Sequence, residues 1–298
     1  MRFGLLVSAV IIAGGFIFWK DISDVVDEAQ KSVAWEKKRE SKDDKKHTSN
    51  VTPDVQVTKK WNLPAELKEV SGIAFLGDNR FACVQDEEGI IFIYNTSSEK
   101  IERKISFGAA GDYEGIAVNG NTAYVVRADG RLYEVNIDSD KTSAKEYKTP
   151  LTVEHNVEGL FYDKNNNRLL LAAKDGEPGD KNYKGIYAFD LSNKKLAEEP
   201  VLKIDLKNDL LNKQDGKKNK PIAPSAIGIH PETDEVYITD GPKSRLLIMD
   251  RSGTIKELLE LGKDFAQPEG ITFSPQGDVF ISNEGTKQPG NILQVKVK

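Results

Sequence analysis

The chain of 298 residues holds one cysteine, Cys83, so no internal disulfide and no cysteine-rich zinc site can form. Histidine is nearly as scarce. His47, His155 and His230 are scattered, which leaves no cluster for a borderline metal. An excess of positive charge is also missing, because 42 Lys plus Arg face 47 Asp plus Glu, for a formal net charge of −5. That balance excludes a protein that holds nucleic acid by bulk attraction. There is no Gly-x-Ser-x-Gly nucleophile turn and no Gly-rich phosphate loop. Cys83 itself, in the run RFACVQ, reads as a small core residue rather than a reactive thiol. What is present is enough apolar material, 38%, for a substantial core.

One long uncharged run stands apart. Residues 3–19, FGLLVSAVIIAGGFIFW, are at the short end of what spans a bilayer. Trp19 sits where an interfacial aromatic belongs, Arg2 flanks one side, and Lys20, Asp21 and Asp24 begin the other. The reading is an uncleaved transmembrane signal anchor over 1–19, with a cleaved signal peptide as the alternative. The N-terminus would then stay in the cytoplasm, and the remainder would be periplasmic or otherwise extracytoplasmic at the inner cell membrane. Residues 20–52 read as a charged juxtamembrane linker. Their stretch EKKRESKDDKK has no apolar face to bury, and His47 within it is solvated.

From residue 53 onward a short phrase recurs: VSGIAF, YEGIAV, VEGLFY, PSAIGI and PEGITF. Each sets a small residue (Gly72, Gly115, Gly159, Ala226, Gly270) before an alternating apolar run, at spacings of 43, 44, 67 and 44. The long interval carries two polar stretches, DGEPGDKNYKG and LLNKQDGKKNKP, which read as loop insertions. Each phrase is followed by a turn, a β-rich strand such as RFACVQ or DVFISN, another turn, a third strand and a more polar fourth. Four short strands in about 44 residues are the signature of a β-propeller blade. The last repeat lacks a fourth strand, and VQVTKKWNL at 55–63 resembles those fourth strands. The expectation is an all-β, five-bladed propeller over 53–298, with the N-terminal strand closing the last blade. Six blades is the alternative if the insertion hides a degenerate unit.

The innermost strands of a propeller line its channel, so equivalent positions form rings. The position before the small residue reads Ser71, Glu114, Glu158, Ser225 and Glu269. A second set, at the end of the next strand, reads Asp86, Arg127, Lys174, Asp240 and Asn283. Packing alone would favour small or apolar residues there. Converging carboxylates repel unless a cation neutralises them. Calcium takes six to eight oxygen ligands, and Glu114, Glu158, Glu269, Asp240 and Asn283 offer them. Glu87, Glu88 and Glu284 stand in the following loops, as outer ligands or as solvated turn charge. The competing account of the ring glutamates is structural: they would accept backbone N–H groups and hold blades together.

The phrases YEGIAV, VEGLFY and PEGITF, with CVQDEEGIIFIY and VFISNEG, resemble the SdiA-regulated family of bacterial propellers over about 55–298. That resemblance implies a five-bladed propeller with bound calcium, at Glu114, Glu158, Glu269, Asp86, Glu87, Asn283 and Glu284. Ser71 and Ser225 replace Glu in two blades, so such a site must be asymmetric. The family's role does not name an activity.

Three functions compete. The first is an anchored module that holds calcium and recognises a small anionic ligand or a protein partner. The second is a calcium-dependent hydrolase of phosphate esters or lactones, with Arg127 and Lys174 binding an anionic group and a ring Glu or His155 as base. The third is a scaffold that uses the lysine-rich insertion at 207–221. His230 reads as part of a turn.

Overall fold

The computed structural model describes residues 54–139, 143–214, 217–218 and 221–298. The apolar segment 3–19 and the linker 20–52 lie outside the described residues, so the anchor expectation concerns residues not described. Among the described residues no helix is long and apolar enough to cross a membrane. Thr52–Lys298 forms one compact unit.

That unit is a five-bladed β-propeller. The chain first lays down β1 (Val55–Asn62). The first blade follows as β2 (Val70–Gly77), β3 (Arg80–Gln85), β4 (Ile90–Asn95) and β5 (Lys100–Ser106). The second is β6 (Tyr113–Asn119), β7 (Thr122–Arg127), β8 (Leu132–Asn136) and β9 (Lys145–Tyr147). The third is β10 (Val157–Asp163), β11 (Arg168–Ala173) and β12 (Tyr183–Asp190), with β13 (Lys195–Leu196) and β14 (Leu202–Asp205) sharing its outer position. The insertion that follows is not a plain loop. It forms a helical turn α1 (Asp209–Asn212) and a minimal hairpin of β15 (Lys213–Gln214) and β16 (Lys217–Lys218). Buried Leu211 pins α1 onto the core, an apolar anchor too short to give a periodic signal.

The fourth blade is β17 (Pro224–Ile229), β18 (Val236–Asp240), β19 (Arg245–Met249) and β20 (Ile255–Glu260). The fifth is β21 (Pro268–Phe273), β22 (Val279–Asn283) and β23 (Asn291–Val297), completed by β1. Strand β1 pairs antiparallel with β23 from Val55↔Val297 to Asn62↔Asn291, with one register shift between Val57 and Lys59. Residues from the two ends of the unit thus share one sheet, which gives the last blade its fourth strand and covers the outer edge of β23.

The core lies between blades, because strand side chains alternate in direction. Val84 packs toward blade 2 with Val125 and Tyr133, while its neighbour Cys83 packs toward blade 5 with Phe280 and Ile292. Cys83 is fully buried, and burial pushes its thiol pKa up, so it behaves as the core residue expected. The inner strands approach so closely that the repeated small residue is required. A Cβ added at Gly115 would stand 2.7 Å from the Glu158 carbonyl oxygen of the next blade.

Candidate functional site

In every blade the inner strand opens with a β-bulge. The register slips between Val70 and Gly72, Tyr113 and Gly115, Val157 and Gly159, Pro224 and Ala226, and Pro268 and Gly270. The extra residues are Ser71, Glu114, Glu158, Ser225 and Glu269, the first ring read from the sequence. A bulge frees one residue from the ladder and re-aims its side chain. Here five bulges turn five equivalent side chains to the same end of the channel. Glu114, Glu158 and Glu269 line a single small cavity with Gly72, Gly115 and Gly270. Its free volume is about 10 Å³, close to the space of one water. The other end of the channel is lined mainly by apolar residues, among them Phe75, Val118, Tyr162 and Phe273.

The three glutamates stand in an uncomfortable electrostatic environment. Burial, then the charges of Glu158 and Asp112, push Glu114 up to about 9. Burial and the charge of Glu158 push Glu269 up to about 8. Burial raises Glu158 to about 7, and Lys174 holds it from rising further. The Lys174 ammonium stands 2.5 Å from Glu158 Oε1. Burial alone would lower its pKa, but Glu158, Glu269 and Glu114 together raise it. Glu158 Oε2 is buried with no hydrogen-bond partner.

The second set falls into two registers. Opposite the bulges stand Gln85, Arg127, Ala173, Asp240 and Asn283. Arg127, Asp240 and Asn283 belong to that ring, whereas Asp86 and Lys174 lie one residue beyond it, beside Glu284 in register. Counting from the glycine misses this because the strands differ by a residue before their turns. Asp240 is fully buried, and its Oδ2 accepts Nε and Nη2 of Arg245, while Oδ1 has no partner. It is half of a buried inter-strand ion pair. Asn283 is likewise buried, donates to Asn291 Oδ1 at 3.1 Å, and keeps its own Oδ1 unpaired. Arg127 is clasped by Asp129, with Nε 3.0 Å from Oδ1 and Nη2 on Oδ2. Both cations expected to meet an anionic group thus already have carboxylate partners.

Asp86 and Glu284 form a flank of the ring. Burial raises both, and each feels the other's surroundings: Glu69, Glu87 and Asp112 act on Asp86, and Asp86 and Glu69 act on Glu284. The amide of Gln267 donates to Glu284. Glu87 is exposed, with its backbone N–H on Gln85. Glu88 is also exposed and takes a 3.4 Å contact from the Gln85 amide, as a solvated turn residue would.

Sequence reading missed a third ring. Two residues before the bulged positions stand Glu69, Asp112, Asn156, Ala223 and Gln267. The neighbouring Asp112 raises Glu114, the Asn156 amide donates to Glu158 Oε1 at 3.3 Å, and Gln267 lowers Glu269. No strand period could have found it, since these residues precede their inner strands and the bulge breaks the alternation beyond them.

Two serines explain the asymmetry. Ser225 Oγ donates to the Pro268 carbonyl of the next blade at 2.6 Å. Beside it, Gly241 leaves room for Glu269: an added Cβ there would stand 2.9 Å from Glu269 Oε1. His155 is engaged at both ring nitrogens: Nδ1 accepts the Thr152 N–H at 3.1 Å, and Nε2 faces Glu177 Oε2 at 3.5 Å. His230 Nδ1 takes the N–H groups of Glu232 and Thr233, as expected of a turn residue.

Among the described residues no three His, Cys, Asp or Glu side chains converge closely enough to enclose a metal ion as they stand. In kind, however, the donors suit a hard cation: carboxylates and amides, including the unpaired oxygens of Glu158, Asp86 and Asn283. Closing around one would draw the ring carboxylates together.

The model of one protein family, SdiA-regulated, matches residues 47–288. The chain belongs to the SdiA-regulated family. Comparison with curated proteins gave no match. Among solved structures, this SdiA-regulated chain is similar to a Myxococcus xanthus glutaminyl cyclase, at TM-score 0.58 and 14% identity, covering 81% of this chain and 95% of that one. It is also similar to a virginiamycin B lyase from Staphylococcus aureus, at TM-score 0.45 and 15% identity, covering 77% and 68%. At these identities the cyclase likeness speaks to the SdiA-regulated fold and not to its chemistry.

Proposed function

We propose that this protein is an extracytoplasmic, membrane-anchored propeller that binds calcium at the bulged end of its channel and recognises a ligand or partner on that face. The observation that carries the reading is the imbalance at the ring. Glu114, Glu158 and Glu269 are all raised, and Lys174 is the one ammonium paired with any of them in the described residues. A divalent cation would relieve that repulsion. Glu114, Glu158 and Glu269 would hold it, with Asp86, Glu284 and Asn283 next in reach; Asp240 is committed to Arg245. The cation would supply a positive centre to which an anionic group of a ligand could bind.

Topology supports recognition on this face. Successive strands in a blade are antiparallel, so inner-strand starts, second-to-third connections and blade-to-blade connections share one end. The excursion 175–182 and the described residues of the insertion, 207–214, 217–218 and 221, therefore stand over the same face as the ring, and Lys243 ties the latter down through the Pro221 carbonyl at 2.6 Å. Anchoring through residues 3–19 would present this face outside the cytoplasm.

One observation favours the hydrolase as a second reading. Glu158, at about 7 beside Lys174, sits in the range where a carboxyl can both take and give a proton. Titration calorimetry on the full chain in detergent separates the readings. Calcium uptake near one per chain, lost in Glu158→Gln, supports the module. Calcium-dependent turnover of phosphate esters or lactones would move the assignment to the enzyme. No uptake removes both.

A further inference from the structure

The third blade carries a buried cluster that the ring does not use directly. Glu177 lies in the excursion between β11 and β12, and its side chain is 9% exposed. Its Oε2 accepts the Tyr187 hydroxyl at 2.6 Å and faces His155 Nε2 at 3.5 Å. Its Oε1 is buried without a partner and lies against Gly185, where an added Cβ would approach to 2.3 Å. A side chain at 185 would crowd this carboxylate and the Tyr187 ring. The rest of the excursion offers little grip, since Asp175, Pro178, Gly179, Lys181 and Asn182 are exposed.

The same cluster reaches Lys174 through the backbone. The N–H of Asp175 donates to the His155 carbonyl at 3.1 Å, and the N–H of Lys174 donates to the Asn156 carbonyl at 2.9 Å. The Lys174 carbonyl accepts the ammonium of Lys184, itself buried at the far end of the excursion, at 2.6 Å. Lys174 is thus the last residue before a loop whose one buried acidic side chain is Glu177, and its ammonium is the partner of Glu158.

We propose that Glu177 is a positioning residue for the ring: with His155 and Tyr187 it fixes the excursion, and through it holds Lys174 against Glu158. The proposal rests on the cation-site reading for one of its two readouts only. Burying an acid with one oxygen unpaired costs stability, so a purely structural loop would be better served by an apolar residue. What Glu177 provides is one acceptor group shared by Tyr187 of β12 and His155 of the preceding loop, added to the backbone bonds at 174 and 175.

The test uses the full chain without added metal, with Glu177→Ala and the shape-preserving Glu177→Gln. The first readout is the acetylation rate of each lysine, followed by mass spectrometry under limiting acetic anhydride. Lys174 is expected to react at least about five-fold faster in Glu177→Ala and by an intermediate factor in Glu177→Gln, while lysines of blades 1 and 5 keep their rates. An unchanged Lys174 rate overturns the proposal. So does a uniform rise at all lysines, which reports a merely structural loss. The second readout is calcium affinity in a cycle with Lys174→Met. Glu177→Ala is expected to change affinity in the native background and to have no further effect beside Lys174→Met; equal effects in both backgrounds overturn it. If the unmodified chain takes up no calcium, the cation reading fails while the acetylation result stands on its own.

Discussion

At the scale of residues, three carboxyls turned inward by β-bulges set the chemistry, and their titration gives a sign that can be measured. Glu158, Glu269 and Glu114 have folded-state pKa values near 7, 8 and 9, above an unfolded value near 4.5. The folded chain therefore binds more protons than the unfolded chain between about pH 4.5 and 9. Stability contributed by these groups is complete below the lower bound and is lost as pH rises through the folded values. The expected outcome is a melting temperature that falls from pH 5 to 9 in chelator and is flattened by calcium. The same slope with and without calcium counts against the site. A second test turns on Gly241. Gly241→Ala pushes a Cβ toward Glu269 Oε1 and is expected to weaken calcium binding about ten-fold, roughly 1.4 kcal/mol. Adding Glu269→Asp, with its shorter arm, should recover part of that loss in calorimetry. The ring glutamates were legible because the phrase repeats about every 44 residues. Asp86 and Lys174 fall one residue out of ring, because the strands differ by a residue before their turns and a count from the glycine does not show it. The ion pair of Asp240 was not legible, because Arg245 lies across a turn whose pairing no spacing reveals.

At the scale of elements, the seam between blades 5 and 1 closes the molecule. Trp61 of β1, Phe75 of β2 and Phe81 of β3 surround Phe280 of β22, and Phe75 stacks on Phe280 at 5.5 Å. Phe280→Ala should cost about 3–5 kcal/mol, read as a lower urea midpoint at constant m-value. Removing residues 54–62 should do more, because β23 then becomes an exposed edge and loses its ladder. Aggregation of that truncation at concentrations where the full unit is monomeric is the expected readout. The closing strand was legible from its likeness to the polar fourth strands. The fold of the insertion was not. Leu211 alone anchors α1, and one apolar residue in a lysine-rich stretch gives no period to read.

At the scale of the whole molecule, five similar blades make an asymmetric site. Three blades contribute Glu, one contributes a serine spent on the inter-blade bond to Pro268, and one contributes Ser71, whose hydroxyl lies 3.3 Å from the Glu69 carbonyl. Both insertions rise on the ring's face and flank blade 3, whose Glu158 carries the paired ammonium. Five blades were legible because the repeat spacing, less one insertion, left room for no sixth. The charge balance of the ring could only be weighed once Arg127 and Asp240 were seen to be spoken for. The most direct measurement is an anomalous difference map from crystals of the propeller unit grown with calcium and collected at long wavelength. One peak among Glu114, Glu158 and Glu269, with carboxylate oxygens at about 2.3–2.6 Å, is the expected result. A featureless ring in which the three carboxyls remain apart at millimolar calcium would contradict it.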